Sequence, residues 1–166
     1  MKKFICLIVA LVLTELSFET VAGSNIKVVD GDSLEIKDKR IRLIGIDAPE
    51  YFQECFDVFG QTYPCGQMSK AYLEKLIEEG QNKGQKLKCK VEDIDRYKRD
   101  LSVCYIGDIN LNLEMVKSGH AISYKHERYE RVQKRAKERK IGIWQGKFMR
   151  PELYRALKRK EEEQKN

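Results

Sequence analysis

The chain has 166 residues, of which 42% are hydrophobic and 35% are charged. This length and composition fit one soluble domain with a core of its own, and the absence of internal repeats or a low-complexity linker argues against a repeat protein. Lys and Arg number 32 against 26 Asp and Glu, for a net charge of +6. An excess of this sign favours polyanionic partners, either nucleic acid or an anionic membrane surface.

The first 22 residues have the layout of a secretory signal peptide. Lys2 and Lys3 precede an unbroken apolar run over residues 4–13, and small residues stand at the cleavage positions 20–22. The apolar run is short for a membrane span, although an uncleaved membrane anchor is the alternative. We therefore expect a secreted or periplasmic protein. Cleavage after Ala22 removes two charges of each sign, so the mature chain keeps its charge of +6.

Cleavage also removes Cys6 and leaves four of the five cysteines. An even number in an exported protein indicates disulfides, with three possible connectivities. We expect one bridge to close a short loop and the other to cross a hairpin: Cys55–Cys65 and Cys89–Cys104. A zinc site is the competing interpretation. It is disfavoured because the chain has no Cys-x-x-Cys pair and its two histidines lie far along the chain.

The stretch from Val29 to Glu50 has alternating and β-branched flanks, which predict short strands joined by tight turns. If these strands are neighbours, Asp32 near one turn and Asp47 at a strand end converge on one cation. Arg42 and Glu50 then lie beside that cation. Two carboxylates for a hard metal, an arginine and a spare carboxylate are the components of a metal-assisted phosphodiester hydrolase.

The later elements follow in order. A loop over residues 51–64 precedes a predicted helix over 66–80, and strands over 86–91 and 101–106 form a hairpin with Cys89 roughly opposite Cys104. A short helix begins near Asn110 or Asn112 and ends at Gly119, and a longer amphipathic helix lies within residues 124–140. Residues 23–149 are predicted to form the domain. Residues 150–166 are predicted to be a charged tail, at most a solvated, fraying helix.

Each motif also has a purely structural interpretation. Asp30-Gly31-Asp32 could be an ordinary hairpin turn, residues 47–50 the start of a helix, and residues 95–101 a charged hairpin loop. Arg42 is harder to explain in this way, because a guanidinium among apolar strand residues needs an anionic partner. Taken together, the three motifs bring metal carboxylates, arginines and a tyrosine to strand ends and loops.

These motifs, in this order and spacing, make the chain similar to the staphylococcal nuclease (thermonuclease) family. The resemblance is carried by Asp30-Gly31-Asp32-Ser33, by residues 42–50, by Asp95-Arg96-Tyr97-Lys98-Arg99, and by residues 112–119 and 143–144. It covers about residues 26–145. It implies an α+β fold: a five-stranded OB-fold β-barrel with about three packed α-helices.

The resemblance also implies a calcium-dependent nuclease that cleaves DNA and RNA, as an endonuclease or exonuclease, and leaves 3′-phosphates. By its motif positions, Asp32, Asp47 and the backbone carbonyl of Ala48 would hold Ca²⁺, with Asp30 supporting the site from beside the metal. The implied catalytic residues are Arg42, Glu50 and Arg99. The implied substrate-binding residues are Arg96, Tyr97 and Tyr124. No stable protein partner is implied, and we expect a monomer with no membrane association after cleavage.

Several positions depart from the family pattern. Ser33 and Ala48 stand where the family has threonine, and Lys98 replaces a turn glycine. The insertion after Glu50 that carries two of the cysteines replaces a lysine-rich loop. Two other functions remain open: a non-catalytic OB-fold module that binds nucleic acid, and a secreted calcium-binding interaction protein. The first needs none of the carboxylates and arginines, and the second gives Arg42, Glu50 and Arg99 no task.

Overall fold

A computed structural model describes residues 26–165, so the predicted signal peptide over residues 1–22 lies outside the described residues. The fold is α+β. The strands are β1 Ile26–Asp30, β2 Ser33–Ile36, β3 Lys39–Leu43, β4 Ile46–Asp47, β5 Cys55–Phe56, β6 Thr62–Tyr63, β7 Leu87–Ile94, β8 Asp100–Ile106, β9 Ile109–Asn110 and β10 Ile122–Ser123. The helices are α1 Cys65–Asn82, α2 Leu111–Lys117, α3 Glu130–Glu138 and α4 Pro151–Glu163.

The central sheet confirms the predicted OB-type architecture. Its five main strands follow the order β1-β2-β3-β8-β7, with β9 added to β8, and they curl into a half-barrel. All neighbours are antiparallel except β3 and β8, which run parallel, with Arg42 opposite Leu101. The parallel pairing requires a long crossover, which the chain makes through the insertion, α1 and β7.

The helices match the predicted segments and add one more. The predicted helix over 66–80 is α1, the short helix after Asn110 is α2, and the third predicted helix begins as a 3₁₀ turn, Glu127–Tyr129, before α3. In α2 the Asn110 side chain accepts a hydrogen bond from the Leu113 N–H, as an N-cap should. About three helices were expected and the described residues contain four α-helices, because the C-terminal segment forms α4.

The core fills the space between the sheet and helices α1 and α2. Leu43, Leu73, Ile106, Leu111 and Met115 are completely buried there. One buried polar residue, Asn112, connects this core to the functional edge of the sheet. Its side chain accepts a hydrogen bond from the Cys104 N–H at 3.0 Å and donates to the carbonyls of Ile44 and Ser102 at 2.9 and 3.1 Å. Asn112 thereby fixes the turn between β3 and β4 against β8.

Both expected disulfides are formed. Cys55–Cys65 joins β5 to the first residue of α1, and Cys89–Cys104 joins directly opposed positions of β7 and β8. Within residues 26–165, no helix has both the length and the apolar character needed to span a membrane.

Candidate active site

The candidate site is built around Arg42, which lies between two buried carboxylates. Its guanidinium contacts Asp32 at 2.8 Å through Nη1 and Asp47 at 2.7 Å through Nη2. Asp32 lies in the turn between β1 and β2, and Asp47 ends β4. The predicted convergence of the two aspartates is therefore present, and Arg42 is the anion-paired strand arginine that the sequence suggested.

The turn that carries Asp32 is fixed by its neighbours on several sides. The Asp32 backbone N–H donates to the Asp30 carboxylate at 3.0 Å, and the Ala48 N–H donates to Asp32 Oδ2 at 2.8 Å. Gly31 allows α1 to approach, since a Cβ atom there would lie 1.9 Å from Ser69 Oγ and 2.7 Å from the Ala48 side chain. The Asp-Gly-Asp turn is thus both a hairpin turn and a scaffold for the carboxylate.

Burial dominates the electrostatics of this pair. It raises the pKa of Asp32 to about 6, against the lowering effect of Arg42, and repulsion from Asp30 adds to the rise. Burial by itself would lower the pKa of Arg42, but the charges of Asp32 and Asp47 and the hydrogen bond that Arg42 donates to Asp47 raise it overall. The pKa of Asp32 therefore stays raised, because the attraction of Arg42 does not fully offset the cost of burying this carboxylate.

The chemistry and burial of these groups fit a hard cation such as calcium, because the donors are oxygens and a cation would offset the burial of Asp32. Asp32 and Asp47 would hold it. Across the described chain no group of three or more His, Cys, Asp or Glu side chains could hold a metal ion. A site here would need other oxygens to complete it, and the Ala48 carbonyl and water are the candidates beside the two aspartates.

Glu50 is linked to Asp47 by Arg155, a residue that the motifs did not indicate. Arg155 Nη1 donates to Glu50 Oε1 at 2.6 Å and to Asp47 Oδ1 at 2.9 Å, and Arg155 Nη2 donates to Asp47 Oδ2 at 3.1 Å. Burial alone would lower the pKa of Arg155, but the hydrogen bonds and charges of these two carboxylates raise it. The site thus has two arginines, Arg42 and Arg155, meeting at Asp47.

Arg155 belongs to α4, so the expectation of a solvated C-terminal tail is wrong for the first turns of this helix. Pro151 at the start of α4 is buried, and the Tyr154 hydroxyl donates to the Phe52 carbonyl at 3.2 Å. The first turn exposes the ion pair of Arg150 with Glu152, and the later turns carry most of the exposed charge of this helix. The available signal was a proline at the first helical position followed by Tyr154 and an arginine. Nothing local distinguishes Arg155 from the other basic residues of the segment.

Arg99 lies at the base of the β7–β8 hairpin, and its guanidinium pairs with Asp95 rather than with Glu50. Its Nε and Nη2 atoms both lie 2.8 Å from Asp95 Oδ2. Asp95 also accepts from the backbone N–H groups of Tyr97 and Arg99, and Lys98 has a φ of 61°, the conformation that glycine adopts readily. Arg99 immediately precedes Asp100, the partner of Ile41, so its backbone is close to the strand that carries Arg42.

The predicted substrate-binding residues occupy two separate places. Arg96 and Tyr97 form an exposed pair in the hairpin, with the Arg96 Nη2 atom 2.8 Å from the Tyr97 hydroxyl and the guanidinium over the ring. Arg40 donates to the Tyr97 carbonyl at 3.0 Å. Tyr124 follows β10, whose Ile122 pairs with Asp47, and its N–H donates to the Gly45 carbonyl at 2.9 Å. The structure therefore brings the Tyr124 backbone near the site.

Residues 40–146 match the sequence model of a family described as Staphylococcal nuclease homologue. An uncharacterized endonuclease of Haemophilus influenzae is 35% identical over 147 residues, 83% of this chain and 74% of that protein. The thermonuclease of Staphylococcus intermedius is 29% identical over 130 residues, 72% of this chain and 73% of its own length. The succinoglycan biosynthesis protein ExoI of Rhizobium meliloti is 32% identical over 121 residues, 70% of this chain. The matched region spans only 61% of that protein's length.

Proposed function

The chain belongs to the staphylococcal nuclease family, and we propose on this basis that it is a secreted, calcium-dependent nuclease that hydrolyses DNA and RNA to products with 3′-phosphates. One observation carries the proposal: Asp32, Arg42, Asp47 and Glu50, all selected by the motifs, form one cluster in which Arg42 joins Asp32 to Asp47 and Arg155 joins Asp47 to Glu50. Relatives named endonuclease and thermonuclease support the same reaction class.

In this proposal Asp32, Asp47 and the Ala48 carbonyl would hold calcium, which would supply Lewis-acid polarisation of the scissile phosphate and of a nearby water. Glu50 is half-buried beside Asp47 and accepts a proton from the attacking water. The water oxygen forms a bond to phosphorus, and the bond from phosphorus to the 5′ oxygen breaks. The 5′ oxygen takes a proton from solvent as it leaves, Glu50 returns its proton to solvent, and the phosphate stays on the 3′ side.

The arginines stabilise the charge that grows on the phosphoryl oxygens. Arg42 lies between Asp32 and Asp47, so its guanidinium is close enough to donate to a phosphate bound beside these two carboxylates. Arg99 takes this role only if its guanidinium exchanges Asp95 for the phosphate. Arg96 and Tyr97 would bind a neighbouring phosphate, and Tyr124 would contact the nucleotide. The net charge of +6 favours the approach of the polyanion.

Export would proceed through the predicted signal peptide, and the two disulfides are consistent with an oxidising compartment. We propose a monomer without a stable protein partner.

The test uses purified mature protein, residues 23–166, with end-labelled single-stranded DNA, double-stranded DNA and RNA. We expect cleavage in calcium, loss of cleavage in excess chelator, and its return when calcium is restored. Activity in magnesium should be weak, because a site with few carboxylates suits the flexible coordination of calcium better than the strict octahedron of magnesium. Labelled fragments should carry 3′-phosphates. Full activity in calcium-free magnesium would contradict the calcium proposal. Binding without cleavage under every condition would favour the non-catalytic OB-fold module instead.

A further inference from the structure

Helix α4 contributes an arginine to a site whose metal-binding and catalytic residues the family motifs place within residues 30–99. Arg155 lies outside residues 40–146, the region that matches the family. It is 105 residues from Glu50 and 108 from Asp47 along the chain, and yet one guanidinium bridges the two carboxylates.

The contact is made by an anchored element. Gln53, which is almost completely buried, donates to the Met149 carbonyl at 2.6 Å and accepts from the Glu50 N–H at 3.2 Å. Pro151 is buried, and Tyr154 holds the Phe52 carbonyl. The loop that follows Glu50 is thus attached to the segment that begins α4, and Arg155 is delivered to the site by these same contacts.

The Glu50 carboxylate is oriented and charge-balanced by Arg155. Among the residues that the structure describes, Arg155 is the cation paired with Glu50, whereas Asp47 has Arg42 as well. Glu50 and Asp47 are like charges close together, and a planar guanidinium that binds both sets the direction of each carboxylate. A lysine could neutralise the charge but could not form the same bidentate contact with Asp47.

The competing interpretation is that Arg155 is a plug, that is, a side chain that blocks the metal site and is displaced when the metal binds. It would have to pull away a helix whose attachment includes the buried Gln53 and Pro151. Displacement is also unnecessary. Asp47 Oδ1 accepts from both Arg42 and Arg155, but Asp47 Oδ2 and Glu50 Oε1 each accept one Arg155 hydrogen and keep a second lone pair for a cation.

We infer that Arg155 is a positioning residue of the nuclease site, which holds the Glu50 and Asp47 carboxylates in the arrangement used for hydrolysis. The inference rests on the proposed function. It makes α4 a part of the active site and gives Arg155 two separable effects: its charge weakens calcium binding, and its geometry supports turnover.

The test compares Arg155→Ala, Arg155→Lys and the matched control Arg159→Ala, an exposed arginine one turn later on α4. Calcium affinity is measured by calorimetry, turnover is measured at saturating calcium, and thermal unfolding reports the folded fraction. We expect Arg155→Ala to bind calcium about tenfold tighter or more, because a positive charge leaves the site. We expect its kcat to fall by about 10- to 100-fold, with a smaller change in KM, since partners that orient metal ligands have effects of this size.

Arg155→Lys should restore the calcium affinity towards that of the wild type and leave kcat low, while Arg159→Ala should change neither. Unchanged or weaker calcium binding in Arg155→Ala would overturn the inference, as would normal kcat per folded molecule. Faster turnover in Arg155→Ala would identify a plug, and full rescue by lysine would show that charge alone matters; either result overturns it. A wild-type protein that cleaves nothing would refute the proposed function itself, whereas an active wild type with an equally active Arg155→Ala refutes only this inference.

Discussion

At the residue scale, the site concentrates its charge on Asp47, which is completely buried and accepts hydrogen bonds from two arginines. A buried carboxylate is stable only when it is paired, and removal of one partner leaves an uncompensated charge. Arg42 and Arg155 therefore have structural consequences in addition to any catalytic ones. Experiments on either residue must separate folding from turnover.

Replacement of Arg42 by alanine should remove most turnover and destabilise the metal-free protein. Loss of one transition-state donor costs about 10²–10³ in rate, and a broken buried ion pair costs about 3–5 kcal/mol. Because calcium replaces some of the lost positive charge, it should restore part of the melting temperature without restoring the rate. Turnover per folded molecule, measured beside thermal unfolding with and without calcium, checks this. Near-normal turnover in a folded variant would remove Arg42 from the mechanism.

Arg99→Ala should also lower turnover by about 10²–10³ if Arg99 reaches the phosphate. Its effect on stability should be small, since its ion pair with Asp95 is partly exposed at 27% and 15% of the two side chains. Unchanged turnover together with normal unfolding would show that Arg99 only organises the hairpin through Asp95.

The sequence predicted part of this site and missed part of it for identifiable reasons. Asp32, Arg42, Asp47 and Glu50 lie within 19 consecutive positions, where turn chemistry and strand alternation predict their neighbourhood. Arg155 reaches the same centre only through the docking of α4, which depends on contacts of Gln53 and Tyr154 with backbone carbonyls about 100 residues away. Local pattern does not encode such contacts, so Arg155 resembled any other basic residue of a charged helix.

At the element scale, alternation fixed the β7–β8 hairpin well enough to place Cys89 opposite Cys104, as the strand register confirms. The parallel pairing of β3 with β8 had no local signal in the sequence, and no parallel pair was predicted. The insertion after Glu50 was predicted to be a disulfide-closed loop, and the structure shows that it also contains the short strands β5 and β6. Its disulfide attaches it to the first residue of α1, beside the backbone of Glu50, since a Cβ atom at Gly66 would lie 1.7 Å from the Glu50 carbonyl oxygen.

The mature protein should contain no free thiol. Both disulfides join cysteines whose backbones are already brought together by the strands or by α1, and each is worth about 2–4 kcal/mol. Thiol titration of denatured, unreduced protein checks this, with reduced protein as the control that should show four thiols. Two or more reactive thiols per unreduced chain would contradict the prediction, and a peptide map joining Cys55 to Cys89 would contradict the connectivity.

His120, which follows α2 and packs against α1, should make the free energy of unfolding depend on pH. His120 stacks on Tyr72 of α1, with ring centroids 4.2 Å apart, and its Nδ1 lies 3.0 Å from Ser118 Oγ. Burial lowers the pKa of His120 to about 4. Between pH 4 and 6.5 the unfolded chain therefore binds more protons at this residue than the folded chain does, so the stabilising contribution falls as the pH falls through this window.

The matched variant is His120→Phe, which keeps a ring against Tyr72 and does not titrate. The free energy of unfolding of the wild type, relative to this variant, should fall by up to about 3 kcal/mol between pH 6.5 and pH 4. Urea titrations in chelator at several pH values measure the difference, and the carboxylates shared by both proteins largely cancel. Parallel pH profiles for the two proteins would contradict the prediction.

At the scale of the whole molecule, Asp32 from the β1–β2 turn, Arg42 from β3 and Asp47 from β4 meet at one place, and Arg155 of α4 joins them there. The basic excess of +6 coexists with a buried acidic cluster, a combination that suits a polyanionic substrate cleaved at a cation-dependent centre. The central claim is that this cluster hydrolyses phosphodiester bonds, with Glu50 accepting the proton.

The most direct measurement is the rate at which Glu50→Gln and the matched control Glu54→Gln cleave an end-labelled single-stranded oligonucleotide. Glu54 is exposed in the same loop, so both variants lose one negative charge within five residues of each other. In calcium, Glu50→Gln should lose at least about 10²-fold in turnover, because the amide cannot accept the proton, while Glu54→Gln and the wild type cleave alike. All three should stop in chelator. Equal turnover by Glu50→Gln and Glu54→Gln, with both folded, would contradict the account.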